Sequence, residues 1–181
     1  MEEDVGSDHF KGWPFVAESR REDGGINNGA FNLVLHPEKI DTIHEATNAN
    51  GLRPLLVHIN RPSGCMMTLG CAYGLESDGL YYSYLEITIR DAQSAMNKDW
   101  PQIFEQKWQQ YLDRAESQIE GIKRLLEENL AMTYRRFCLR PETDQRLLVC
   151  IYLRAASEDD HQSLAGHPLR FFQLLEAGEL H

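Results

Sequence analysis

The chain has 181 residues, of which 42% are hydrophobic, and it sets 18 Lys and Arg against 28 Asp and Glu for a net charge of −10. This is enough for one cored domain with a small appendage, while the acidity argues against general affinity for nucleic acid, which needs basic residues to displace counterions. No apolar run approaches the ~18 residues of a membrane span, and the opening "MEEDVGSDHF" lacks the charged-then-apolar order of a signal peptide, so the expected location is the cytoplasm.

Residues 1–28 are polar and rich in Gly, Asp and Glu, and read as a flexible acidic arm that Trp13, Pro14 and Phe15 can dock. Residues 29–62 are less acidic: Glu38, Asp41 and Glu45 are balanced by Lys39, Arg53 and Arg61, with His36, His44 and His58 among them. In "AFNLVLH" (30–36), Phe31, Leu33 and Leu35 alternate with Ala30, Asn32, Val34 and His36, the pattern of a half-buried strand. Pro37 suits a first helical position and Glu38 a first turn. Ile40 and Ile43 recur at helical spacing, and Asn50-Gly51 supplies a left-handed stop. A second helix is expected from about Arg53, with Pro54 in its first turn and Leu55, Leu56 and Ile59 as its apolar stripe.

Residues 63–181 read as a helical body with a C-terminal strand and helix. "CMMTLGCAYGL" is expected to be a short packed helix. "GLYYSYLEITIRDAQSAM" carries strand-forming Tyr82, Tyr84 and Thr88, but Leu85, Ile89, Ala92 and Met96 recur at helical spacing over more than a strand's length, which favours a helix. From Pro101 to Met132 the apolar residues Phe104, Trp108, Leu112, Ala115, Ile119, Ile122, Leu126 and Leu130 step by threes and fours, a near-heptad stripe that predicts one long helix against a partner helix. "RLLVCIYLRA" (146–155) reads as a buried strand, "SEDDHQSLAGHP" as a surface loop, and "PLRFFQLLEAGEL" as a closing amphipathic helix. The expected fold is therefore α+β, mostly α.

Candidate chemistry is sparse. Cys65, Cys71, Cys138 and Cys150 match no common zinc spacing and read as idle or buried thiols in a reducing cytosol. There is no phosphate-binding glycine loop, zinc-peptidase pair or nucleophile elbow. "HEATNAN" lacks the second histidine of a zinc helix, and Ser63-Gly64-Cys65 has no identifiable base. No catalytic, cofactor-binding or metal-binding residue is nominated, and the chain is not expected to be an enzyme.

A strand followed by two helices is the layout of a ribbon-helix-helix unit, in which two chains pair strands and lay the ribbon in the DNA major groove. In that arrangement Asn32 can bond adenine, Val34 can touch a thymine methyl, and His36 can donate or accept at the ribbon's end. Lys39, Arg53 and Arg61 can meet phosphates, and the start of the second helix, at Gly51, Leu52 and Arg53, can offer its N–H groups to one. "FNLVLHPEKIDTI", then "DGLYYSYLEITIRDA", then the near-heptad stripe, together resemble in layout a family of ribbon-helix-helix activators from conjugative plasmids and integrating conjugative elements. The resemblance implies a homodimer on double-stranded operator DNA, regulating transcription of transfer genes, with Asn32, Val34 and His36 in the groove. The competing expectation from net charge is an acidic protein-interaction module, an adaptor or inhibitor with a protein partner and no nucleic acid.

Overall fold

In the computed structural model, which describes residues 1–4, 11–14, 19–20, 26–27 and 30–180, the strongest hydrophobic run forms the centre of a sheet. That strand runs from Gln145 to Ala155, and five of its successive residues, Leu147 to Ile151, are buried. A strand buried on both faces needs apolar side chains at every position, which is what "LLVCI" supplies.

In chain order the strands are β1 (Glu2–Glu3), β2 (Gly12–Trp13), β3 (Ser19–Arg20), β4 (Ile26–Asn27), β5 (Met66–Leu75), β6 (Tyr81–Ile89), β7 (Leu130–Leu139) and β8 (Gln145–Ala155). The helices are α1 (Leu52–Ile59), α2 (Ala92–Met96), α3 (Trp100–Glu116), α4 (Ile122–Asn129) and α5 (Glu158–Glu176). Six strands make one mixed sheet in the order β1-β7-β8-β6-β5, with β2 also against β7; β3 and β4 form a separate pair. The four long strands are antiparallel to their neighbours, whereas β1 and β2 lie parallel to β7.

This α/β architecture corrects the mostly helical expectation and its N-terminal strand-helix-helix unit. Residues 30–36 form a turn. The Asn32 carboxamide oxygen accepts from the Val34 and Leu35 N–H groups at 3.1 and 3.2 Å, and its carbonyl accepts from His36 N–H at 2.8 Å. Such a side-chain bond to nearby backbone competes with strand pairing. The alternation fails with it: Leu33 is buried but Leu35 is 70% exposed. Residues 37–42 are a 3₁₀ helix, and only the second expected helix appears as read, as α1.

Four more expectations give way. "CMMTLGCAYGL" is strand β5, and residues 81–89 are strand β6, followed by the short α2 after an Asp91 cap. The single long helix is two helices, with a turn at 117–121 that ends on Gly121 at φ 82° and leaves Ile119 exposed. Beyond it, Leu130 opens β7. The expected C-terminal strand forms as β8, but the acidic "loop" after it is the first turns of α5. There Ser157 caps by accepting from Asp160 N–H, and Glu158, Asp159 and Asp160 lie at the favourable end of the dipole.

The sheet has two unlike faces. Against one pack α1, α3, α4 and α5, with Leu85 and Ile87 of β6 and Val149, Ile151 and Leu153 of β8. Rings of Phe104, Trp108, Tyr111 and Phe171 from α3 and α5 meet edge-to-face or stacked, 5.1 to 5.9 Å between centroids. On the other face a smaller cluster joins Trp13, Met67, Leu69, Phe137, Leu148 and Cys150. The β5–β6 register shifts between Thr68 and Gly70, leaving Leu69 as the extra residue, and its carbonyl accepts from the Trp13 indole N–H at 2.7 Å.

One buried side chain organises the entry to α1. The Asn50 Oδ1 accepts from Thr47 and Leu52 N–H, both at 3.1 Å, and its Nδ2 donates to the Glu45 carbonyl at 2.7 Å. Gly51 follows at φ 78°, where a Cβ would come within 2.9 Å of Ala165 on α5. Losing the Asn50 carboxamide strands buried partners at about 1–3 kcal/mol each. Asn50→Ala is therefore expected to lower unfolding free energy by roughly 2–4 kcal/mol in urea titration; a loss below about 0.5 kcal/mol, the range of ordinary surface substitutions, would show that the turn does not depend on it.

Candidate functional site

The residues expected to read DNA each make a local contact. Asn32 holds its turn, and Val34 packs against the smaller cluster. His36 is exposed beside Glu38 at 3.4 Å. Lys39 lies over the Phe31 ring at 5.6 Å. Arg53 is paired with Asp41, and Arg61 with Glu176. The first N–H groups of α1 are also taken, Leu52 by Asn50 Oδ1 and Arg53 by the Thr47 carbonyl at 3.2 Å, so they do not await a phosphate. The paired-strand route to a homodimer goes with the missing strand.

A serine–histidine contact is present but closed. His161 Nδ1 lies 2.8 Å from the Asn50 carbonyl, and its Nε2 lies 2.7 Å from Ser83 Oγ. A carbonyl can only accept, so Nδ1 carries the proton and Nε2 accepts from the serine, which is the direction a nucleophile and its base require. Both side chains are buried, His161 wholly, and burial holds the imidazole below its ordinary range. Buried in this way, the contact ties α5 and β6 to the Asn50 turn. All four cysteines are free; Cys150 is buried and Cys65 exposed. Among the described residues, no group of three or more His, Cys, Asp or Glu side chains is gathered as for a metal ion, and no helix is long and apolar enough to cross a membrane.

The unexpected feature is the second face of the sheet. Strand pairing sets Tyr82 beside Arg154, Tyr84 beside Tyr152, and Tyr152 beside Ala131. Paired residues share a face, so three tyrosines stand together on the side away from the helices, the Tyr84 and Tyr152 rings 6.4 Å apart. Tyr82 and Tyr84 are half-buried and Tyr152 is 36% exposed. The β5 residues in register with them are Ala72 and Gly74, and a Cβ at Gly74 would meet nothing within 4 Å. The tyrosines thus form a wall beside a low strip.

Acid surrounds one end. Tyr82 O–H donates to Asp78 at 2.9 Å, and the Leu80 N–H and this hydroxyl hold the Asp78 carboxyl below its ordinary value. Arg154 is tied to the Glu128 carbonyl at 3.1 Å. Tyr82, Tyr152, Arg154, Glu127 and Glu128 line a depression of about 240 Å³, below the ~300 Å³ at which pockets for whole small molecules begin and of a size for one side chain. Burial raises the phenols of Tyr84 and Tyr152, the latter to about 12, so both remain neutral donors at ordinary pH.

Beneath the row lies an ion pair. Glu86 of β6 and Arg135 of β7 are 3% and 7% exposed and hydrogen-bonded across β8, where Cys150 stands in register with Glu86. Asp4 lies 4.0 Å from the same guanidinium. Removing one member of such a pair leaves a buried charge, at a cost of about 3–5 kcal/mol. Sequence reading missed Glu86 and the tyrosines because residues 80–96 were read as a helix; "YYSYLEITI" read with period two puts Tyr82, Tyr84, Glu86 and Thr88 on one face. Nothing local pointed to Arg135.

Neither a family model, nor a curated protein, nor a solved structure matches the chain.

Burial raises the Glu86 carboxyl from 4.5 to about 7, against the pull of Arg135. Its folded pKa exceeds its unfolded one, so the folded chain keeps a proton that the unfolded chain releases between those values. The stabilisation is full below the unfolded pKa and is lost as pH rises through the folded one. Urea titrations of wild type and Glu86→Gln are therefore expected to show the wild-type advantage shrinking from pH 4.5 to 7. His161 titrates with the opposite sign but is common to both chains and drops out of the difference. A difference that is flat or grows with pH would contradict the raised carboxyl.

Proposed function

We propose that this chain is a non-enzymatic, acidic protein-interaction module whose tyrosine face takes a Lys- or Arg-bearing segment of another protein. One observation carries the reading: Tyr82, Tyr84 and Tyr152 share a sheet face that no helix covers among the described residues, in a chain of net charge −10. Tyrosine is enriched at interfaces because it adds large contact area at small entropic cost and keeps a polar tip. Its ring face also attracts a cation, by about 0.5–2 kcal/mol according to desolvation. Asp78, Glu127 and Glu128 outnumber Arg154, whose guanidinium donates to the Glu128 backbone carbonyl, and add charge complementarity. The four free thiols suit a reducing compartment, and we place the protein in the cytoplasm.

Selection from a random peptide display library on the purified chain tests this. Enriched peptides are expected to combine Lys or Arg with an apolar or aromatic neighbour. The Tyr82→Ala, Tyr152→Ala double variant, folded by circular dichroism, is expected to bind them at least about tenfold more weakly, a loss of about 1.4 kcal/mol. Binding is also expected to weaken as salt is raised. Acidic or uncharged consensus peptides, or full affinity in the double variant, would overturn the reading, as would retention of one particular DNA sequence at physiological salt.

A further inference from the structure

We propose a second binding site, unrelated to the tyrosine face, in the cleft between α3 and α5, for a small organic anion bearing a carboxylate or phosphate. The cleft holds about 300 Å³, and its polar lining is Tyr111, Arg114, Gln118, Ser163, His167 and Arg170. None of the lining residues is acidic, although acids outnumber bases 28 to 18 in the chain. Two guanidiniums, of which Arg114 is paired with Glu179, converge where the wall itself carries no carboxylate, and so favour an anion there.

Several donors facing the cleft remain unspent, although Ser163 Oγ donates to the Asp159 carbonyl at 3.0 Å. Among the described residues no ion pair or hydrogen bond engages the Arg170 guanidinium, while Arg114 gives one nitrogen to Glu179 at 2.9 Å and keeps the others. Tyr111 Oη and His167 Nδ1 are 2.7 Å apart. Burial holds the phenol up at about 12, Arg170 pulling the other way, and holds the imidazole below its ordinary range. Both groups are therefore neutral at physiological pH, with one proton each and one contact between them. If the phenol donates, the imidazole Nε2–H is left over; if the imidazole donates, the phenolic O–H is left over. Either way one directed donor remains beside two arginines whose planar forks match carboxylate and phosphate oxygens.

Shape and chemistry agree. Gly166 on α5 leaves open space where a side chain would project, since a Cβ there meets nothing within 4 Å. Ala115, Ile119 and Leu174 supply apolar wall, so the fitting ligand pairs its anionic head with a small apolar body.

Amide chemical-shift titrations on the intact chain test the site, with inorganic phosphate and benzoate as separate probes and chloride at matched ionic strength as control. The expected result is a saturable shift confined to α3 and α5, around residues 111–118 and 163–174, reaching half-maximum below about 10 mM for at least one probe. Benzoate ahead of phosphate would assign a carboxylate ligand, and the reverse a phosphate. Arg170→Gln, a change at an exposed position that leaves the fold intact, is expected to weaken binding at least tenfold, and the Tyr82→Ala, Tyr152→Ala variant is expected to bind as wild type does. Shifts no larger than those from chloride, saturation elsewhere on the molecule, or unchanged affinity in Arg170→Gln would overturn the proposal.

Discussion

Five consecutive buried residues, Leu147 to Ile151, hold β8 at the centre of the sheet with both faces out of water. The remaining layout follows from that burial. Val149 and Ile151 point into the larger core and require cover, which α1, α3, α4 and α5 provide. Leu148 and Cys150 point to the other side, where cover comes from Trp13, Phe137 and the bulged turn of β5. An apolar strand at full burial stabilises by about 25 cal/mol for each Å² removed from water, and here both layers draw on the same strand.

The second face is only partly apolar. The Glu86–Arg135 pair bridges β8, with no helix above it among the described residues. Away from it, the same face carries tyrosines, whose rings tolerate water on one side and a partner on the other. Trp13 packs on the apolar end of the face, whereas no helix covers the aromatic end among the described residues. Among the described residues, helices cover one side of the sheet and tyrosine side chains stand on the other; the proposed partner would lie on the tyrosine side.

Legibility in the sequence tracked the range of the interactions. Strand β8 was visible because its burial is written in consecutive residues, and α1 because Asn50-Gly51, Pro54 and the Leu55, Leu56, Ile59 stripe are all local. Local pattern misled where two elements abut. Leu85 and Ile89 belong to β6 while Ala92 and Met96 belong to α2, so their helical spacing crosses the Asp91 cap by coincidence. The near-heptad stripe likewise runs through the turn at 117–121 into α4 and on to β7, with Ile119 on the stripe yet 59% exposed. At 30–36 the alternation was real, but the Asn32 side chain closes a turn within it. The ion pair joins residues 49 apart in sequence, and the tyrosine row needs the β6–β8 register, which no window of sequence contains.

Tyrosine nitration mapped by mass spectrometry, on the free chain and on the chain saturated with a selected basic peptide, tests the binding face most directly. The prediction is that Tyr82 and Tyr152 are modified in the free chain and protected by the peptide. Tyr73 of β5, paired with Ser83, and Tyr81 of β6, paired with Leu75, stack on each other on the opposite face and should react alike in both samples. Protection of Tyr73 and Tyr81 with Tyr82 and Tyr152 left reactive would place the partner on the other side of the sheet and contradict the assignment.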